Sequence, residues 1–246
     1  MSVASTSTTY LVKLKLRHEV ALETMAFHFE KPAGFCFTPG QFIDMTLTNS
    51  HKTDAEGNVR SFSIASAPHE DMLMVATRMR STAFKRVLAT MPLGSEVKIA
   101  SPSGDLTLPH DGARTAVFLA GGIGITPFRS MLVWAAKEQL PQHLVLFYSN
   151  RRPEDAPFLD ELHALEKKNP NYMLIATMTD MAKSHQAWSG ETSQVNKDML
   201  SKYVKGAESP TYYIAGPPAM VQGLHSMLNK AGVADGDIRA EEFAGY

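Results

Sequence analysis

The hydrophobic pattern of the chain changes once, near residue 110. Before that point apolar residues recur at every second position in short runs. Over 10–17, Val12, Leu14 and Leu16 fall on one face and Lys13, Lys15 and Arg17 on the other, as in a half-buried strand. Similar runs predict strands at 26–30, 42–47, 59–65, 72–79 and 96–99, with a polar loop over 49–58. One helix is expected at 82–91, closed by Pro92 and Gly94. Short strands between turn signals predict an antiparallel β-barrel of Greek-key type. Beyond residue 110, β-rich apolar runs at 115–120, 143–149, 172–179, 211–215 and 238–243 alternate with helical spacing at 127–140, 155–168, 195–204 and 217–231. That alternation predicts an α/β doubly wound parallel sheet. The expected division is a flexible Ser/Thr-rich N-terminus over 1–9, the barrel over 10–110 and the α/β domain over 111–246, with the turn-rich 108–114 between the two domains.

In a doubly wound sheet, ligands bind beyond the carboxyl ends of the strands, near the switch in strand order. Two such ends carry unusual sequence. The first is Gly121-Gly122-Ile123-Gly124-Ile125-Thr126-Pro127, a turn from a buried strand into a helix. Unpaired first-turn N–H groups and the positive end of the helix dipole make such a turn a ready anion site. It departs from the dinucleotide fingerprint G-x-G-x-x-G, because Pro127 occupies the third glycine position. Proline is favourable at the first position of a helix, so a plain strand-to-helix turn is the competing reading. The second is Ala215-Gly216-Pro217-Pro218-Ala219-Met220, again strand to helix with proline at the helix start. Two glycine–proline elbows on one rim predict a shared crevice for a nicotinamide dinucleotide. The second strand ends in Ser149-Asn150-Arg151-Arg152, with no carboxylate before Glu154. An arginine there suits the 2′-phosphate of NADPH, whereas an acidic residue would suit the ribose of NADH.

Two stretches of the barrel also carry chemistry. In Arg60-Ser61-Phe62-Ser63, Arg60 and Phe62 share one strand face and the serines the other. Arginine can grip a phosphate bidentately, and an aromatic ring offers a flat surface to a ring system; an edge strand with a solvated arginine is the plainer alternative. In 78–84, hydroxyl residues Ser81 and Thr82 open a helix just after Arg78 and Arg80, which fits either an ordinary N-cap or a second phosphate site. The turn Pro39-Gly40-Gln41-Phe42 leads into a strand.

Composition narrows the options further. The chain has 246 residues, with Lys+Arg 24 against Asp+Glu 25 and a formal net charge of −1, which gives no basis for a nucleic-acid or anionic-membrane partner. No apolar run reaches the ~20 residues a membrane-spanning helix needs, and the N-terminus lacks the pattern of a signal peptide. A cytoplasmic location is expected. The single cysteine, Cys36, cannot build an intramolecular disulfide, a thiolate-rich zinc site or a cysteine-ligated iron–sulfur cluster. The nine histidines show no ligand spacing, so no protein metal site is expected.

Taken together, the chain resembles the ferredoxin–NADP⁺ reductase superfamily of flavin reductases over nearly its whole length. Arg60-Ser61-Phe62-Ser63 corresponds to that family's R-x-[YF]-S, 121–127 to its G-G-x-G-x-T-P, and 216–220 to its G-P-P-x-M; Ser101-Pro102-Ser103-Gly104 is similar to its inter-domain G-P-x-G turn. The resemblance implies FAD in the barrel and NADPH or NADH in the α/β domain. By the same resemblance Arg60 and Ser61 belong to the FAD site, Phe62 lies against the isoalloxazine and Ser63 bonds near its N5. Thr77 and Arg78 flank the flavin, and Ser81 and Thr82 hold phosphates. Gly121, Gly122, Gly124, Thr126, Pro127, Gly216, Pro217 and Met220 form the nicotinamide slot, with Asn150 and Arg151 farther along the dinucleotide. Phe243 and Tyr246 belong to the closing segment that covers the flavin. Ser63, Thr126 and Phe243 are the residues implied at the reacting centre. Two positions depart from the pattern: Phe62 stands where tyrosine is commoner, and Ala215 stands where many members carry cysteine. The implied activity is hydride transfer from NAD(P)H to FAD and onward release of electrons to a separate acceptor, a ferredoxin-type or haem protein or a small molecule. A flavin-binding electron-transfer or regulatory subunit with little turnover of its own is the alternative that Ala215 keeps open.

Overall fold

A computed structural model of the chain describes residues 8–48, 55, 57–109, 114–207 and 209–244. The expectations for residues 1–7 and for Tyr246 lie outside the described residues, as does much of the polar loop over 49–58.

Six strands form an antiparallel sheet: β1 Thr9–Ala21, β2 Thr24–Glu30, β3 Phe42–Leu47, β4 Val59–Ser63, β5 Met72–Arg78 and β6 Glu96–Ala100. Their spatial order is β4-β3-β6-β1-β2-β5, so β6 returns to lie beside β1 in the Greek-key manner. The two edge strands meet where the Ala65 amide donates to the Met74 carbonyl at 2.8 Å, curling the sheet into a barrel. The alternation of β1 holds through Leu14: Val12 and Leu14 are buried in the barrel core with Phe27, Phe29, Ile43, Met45 and Val97, whereas a register shift between Leu14 and Leu16 leaves Leu16, expected on the same face, exposed. Helix α1, Ala83–Thr90, plugs one end with Phe84 and Leu88.

Strand β1 runs four residues beyond the expected end, because a tight turn at Leu22 and Glu23 joins it to β2. Glu23 takes the left-handed conformation (φ 53°) usually given to glycine or asparagine, so the turn carries no ordinary sequence signal. The tip is held from outside. The Leu22 amide donates to the Glu154 carbonyl of the other domain at 2.8 Å, and the Met79 amide donates to the Glu23 carbonyl at 2.6 Å.

The second sheet is fully parallel, with β7 Ala116–Gly121, β8 Leu144–Asn150, β9 Tyr172–Met178, β10 Thr211–Gly216 and β11 Ile238–Glu242 in the order β11-β10-β7-β8-β9. Alternate residues of β7 face opposite layers. Phe118 and Ala120 pack with Phe128 and Met131 of α2 (Ile125–Glu138) and Leu162 of α3 (Leu159–Glu166). Val117 and Leu119 pack with Met199 of α4 (Lys197–Tyr203) and Leu224 of α5 (Pro218–Lys230). The sheet is therefore wound on both faces, and strand order switches between β7 and β10.

Several helix bounds moved by two to four residues, and the starts of α2 and α3 did so for a local reason. Helix α2 begins at Ile125 rather than Pro127, since the turn Gly122–Gly124 is already 3₁₀ and runs directly into it. Pro127 is thus the third helical residue, still within the turn whose N–H groups lack intrahelical partners. Helix α3 begins four residues later than expected. Asp155 is engaged by Arg152, and Phe158 breaks the helical path with φ 61°.

Candidate functional site

The two elbows at the strand-order switch touch one another. A Cβ on Gly124 would lie 2.2 Å from the Ala215 carbonyl oxygen and 2.7 Å from the Gly216 nitrogen, all backbone, so only glycine lets the turns close up. Gly122 differs: its φ of 53° suits glycine, and nothing stands within 4 Å of the space a Cβ would take. One glycine of the turn therefore serves packing and another faces open space. Thr126, 3% exposed, donates its hydroxyl to the Ile123 carbonyl at 3.0 Å and fixes the shape of the turn.

Two neighbouring cavities open along this junction. The first, of about 360 Å³, lies between the barrel and α2 and is lined from the barrel by residues 60–63, 76–78, Arg80, Thr82 and Lys85. Ile123 and Thr126 close it from the α/β side, and Phe243 and Ala244 from the end of β11. Four cations line it (Arg60, Arg78, Arg80 and Lys85), with no carboxylate among its described lining residues. The hydroxyl of Ser63 is buried at this wall and has no hydrogen-bond partner among the described residues. An orphaned buried hydroxyl is costly unless a ligand completes it. Phe62 is 8% exposed; its ring packs on Phe84 at 5.9 Å, so it serves as barrel core and cavity wall at once. The Arg60 guanidinium lies 5.3 Å from the centre of the same Phe84 ring.

The second cavity, of about 550 Å³, shares Arg78, Arg80 and Ile123 with the first and continues past Gly121, Gly122, Pro217 and Met220 to the end of β8. There Asn150 is 7% exposed, and neither atom of its side-chain amide has a partner among the described residues. The two arginines that follow have separate fates. Arg152 is bidentate to the buried Asp155 at 2.7 and 2.8 Å, whereas Arg151 is exposed at the cavity. Glu154 faces away and accepts from the Ser184 hydroxyl and the His185 amide.

The structure thus brings Arg60, Ser61, Phe62, Ser63, Thr77, Arg78, Thr82, Thr126 and Phe243 to the first cavity and Gly121, Gly122, Asn150, Arg151, Pro217 and Met220 to the second. It does not bring Ser81, Gly124, Pro127 or Gly216 to either lining: Ser81 is exposed, and the other three are buried behind the elbows. Thr82 is the N-cap of α1, its hydroxyl accepting from the Lys85 amide at 3.3 Å. The turn at Pro39-Gly40-Gln41-Phe42 packs on the second turn at 101–105, with Phe42 and Ser103 exchanging backbone hydrogen bonds. It belongs to the domain junction.

Residues 118–226 match the family of oxidoreductase NAD-binding domains. The whole fold matches a ferredoxin–NADP⁺ reductase from Neisseria gonorrhoeae, solved with bound FAD and NADP, at TM-score 0.78 and 22% identity, covering 95% of this chain and 98% of that one. The flavohaemoglobin-like FAD/NAD-binding domain of a Vibrio cholerae nitric oxide dioxygenase gives TM-score 0.79 at 17% identity, with 95% and 98% coverage. The chain has the ferredoxin–NADP⁺ reductase fold. Among curated proteins, this reductase-fold chain is 25% identical over 225 residues to the glycine betaine monooxygenase reductase subunit of Chromohalobacter salexigens, covering 90% of this chain and 60% of that protein. It is 26% identical over 211 residues to reductase component 2 of a Comamonas terephthalate 1,2-dioxygenase, again covering 60% of that protein. The chain spans about three-fifths of the length of these curated relatives. None of the described helices is long and apolar enough to cross a membrane.

Sequence patterns gave no notice of Lys85 or of the burial of Glu241, whereas Arg80 already stood beside the helix start at the candidate second phosphate site. Lys85 lies on α1 and reaches the first cavity at the end of β5, where its Nζ donates to the Arg78 carbonyl at 2.8 Å, a tertiary contact without local signal. Glu241 sits on β11 beside Phe243, in a cleft with Gly40, Phe42 and Gly104, and burial pushes its carboxyl up to about 7. The folded state favours the protonated acid, so this contribution is fully present below the ordinary value of 4.5 and is lost as pH rises through about 7. Relative to a Glu241→Gln variant, the parent is expected to lose roughly 2 kcal/mol between pH 5 and pH 8. Urea unfolding at both pH values checks this; parallel pH profiles for the two proteins would refute it.

Proposed function

We propose that this chain is an NAD(P)H-dependent, FAD-containing reductase that passes electrons to a separate acceptor, with residues 10–110 holding FAD and 111–246 the nicotinamide dinucleotide. The observation that carries the reading is the first cavity: four cations in its lining, the buried Ser63 hydroxyl with no partner among the described residues, and an opening onto the glycine elbows. That donor set fits a flavin dinucleotide, whose pyrophosphate needs cations and whose ring edge accepts and donates hydrogen bonds. When bound together, the two cofactors supply hydride transfer from nicotinamide to flavin.

The protein's part is binding and alignment. Arg60, Arg78, Arg80 and Lys85 neutralise phosphate charge. Ser63 offers its hydroxyl to the flavin edge. Thr126 and the paired elbows present a narrow, water-poor wall to the nicotinamide, and the amide of Asn150 serves the far end of the dinucleotide. Phe243 covers the entrance and yields to the incoming ring. The curated relatives are named as reductase subunits and components of oxygenases, which supports a separate acceptor.

The purified protein should show absorbance bands near ~370 and ~450 nm, the general mark of a flavin. Anaerobic NADH or NADPH should bleach them within seconds. Absence of both bands after FAD addition sinks the flavin reading, and a flavin that neither nucleotide reduces leaves only a binding subunit.

The contrast between Arg151 and Arg152 predicts which nucleotide is favoured. Arg151→Ala should raise the NADPH KM by about tenfold, the loss of one charge-assisted phosphate contact, and leave the NADH KM unchanged. Arg152→Ala removes a partner of Asp155 and should not separate the two nucleotides. Equal effects of Arg151→Ala on both would overturn the NADPH preference.

A further inference from the structure

We propose that Arg129 is a positioning residue that sets the flavin-side wall against the nicotinamide-side wall; the inference rests on the functional reading above. Arg129 lies on α2, one helical turn after Thr126, and is 6% exposed at the seam between the domains. All five of its N–H groups are used. Nε and Nη2 grip Glu161 of α3 at 2.7 and 2.6 Å, within the α/β domain. Nη1 and Nη2 grip Glu70 of the barrel at 3.0 and 3.2 Å, and Nη1 also donates to the Ala65 carbonyl at 2.7 Å. Ala65 is two residues beyond Ser63. The next residue, Ser130, donates its hydroxyl to the Ser66 carbonyl at 2.6 Å. The same turn of helix therefore carries Thr126 into the cavity and bonds directly to the segment that follows Ser63.

Further contacts make the clamp rigid. Glu70 accepts the Ala67 amide at 2.6 Å, and its carbonyl accepts Lys31 Nζ at 2.6 Å. The Arg129 guanidinium also lies 5.2 Å from the centre of the Phe158 ring, and Phe158 is held at φ 61°, a conformation that bulky residues adopt only where the surroundings enforce it. A planar five-donor fork fills this role, and an ammonium group, with three donors, fills it only in part. Hydride transfer needs two rings at about 3–3.5 Å, and a misplacement of about 1 Å costs about a hundredfold in rate. Arg129 touches neither cavity, so its effect falls on alignment.

The test compares the parent protein with Arg129→Met, Arg129→Lys and Glu70→Gln, each loaded with FAD. Arg129→Met is expected to keep FAD and to bind NAD(P)H within about threefold of the parent. Its limiting rate of flavin reduction at saturating nucleotide should fall at least about thirtyfold, and the long-wavelength charge-transfer absorbance of the stacked rings should weaken. Arg129→Lys should recover part of both, and Glu70→Gln should lie between. In the FAD-free proteins, amide exchange over 63–70 and 125–138 should quicken in Arg129→Met and Glu70→Gln but not over 211–216. An unchanged limiting rate and charge-transfer band in either folded variant overturns the proposal. So does a rate loss fully recovered by more nucleotide, which would make the effect one of binding. If Arg129→Met does not fold, Glu70→Gln decides. If neither nucleotide reduces the parent's flavin, the functional reading fails and the exchange pattern alone judges the clamp.

Discussion

Gly124→Ala is expected to abolish rapid flavin reduction while leaving FAD in place. The added methyl has nowhere to go. It would stand 2.2 Å from the Ala215 carbonyl oxygen and 2.5 Å from its carbon, and a backbone wall cannot swing aside as a side chain can. Relief requires the two elbows to part, which destabilises the α/β domain by about 1–3 kcal/mol. The functional loss should be larger, about a hundredfold in the rate at saturating NAD(P)H, because the elbows are the proposed nicotinamide wall. FAD content should change little, since the barrel supplies most of the first cavity. Stopped-flow reduction with a flavin count on the same sample checks both halves; a folded Gly124→Ala that reduces its flavin at the parent rate refutes the close-packing argument.

Arg60→Ala is expected to act on the other cofactor. One arginine–phosphate contact contributes about 1.5–3 kcal/mol, so FAD should bind roughly ten- to a hundredfold more weakly. Protein saturated with FAD should keep its NAD(P)H KM, because Arg60 lines the first cavity and not the second. Arg60→Lys should recover only part of the loss, since a point charge replaces a bidentate fork. Fluorescence titration of FAD-free protein gives the comparison. FAD affinity within twofold of the parent would remove Arg60 from the phosphate site.

The sequence made the fold readable where one strand face is buried and the other wet. Alternation over 10–17 placed Val12 and Leu14 in the barrel, and the β-rich runs of the second half became the five parallel strands. It failed where conformation depends on contacts across the molecule. The β1–β2 turn has Leu22 and Glu23 where a hairpin turn usually has asparagine or glycine, and its tip is secured by Glu154 of the other domain. Helix α3 starts late because Arg152 engages Asp155 and Phe158 takes a left-handed conformation. The site divides in the same way. Residues carried by local motifs, such as Arg60, Ser63 and Thr126, were legible. Arg129 was not: on the helix it is one polar residue in an apolar run, and its partners Glu70 and Glu161 are far away in sequence. The motif also hid a division of labour, since Gly122 faces open space while Gly124 and Pro127 do not line a cavity.

The strand order of the parallel sheet has a consequence for how the protein is made. Strand β7 lies between β8 and β10, so its second neighbour leaves the ribosome only after residues 211–216 have been translated. The barrel strands are complete by Ala100, yet Phe243 closes the same cavity from the far end of the chain. At about 5–20 residues per second, a nascent barrel waits roughly seven to thirty seconds for that last wall. During this interval its cationic face stands open to solvent, so FAD can enter from the side that the α/β domain later covers. Cofactor supply during synthesis should therefore govern how much of the protein emerges loaded.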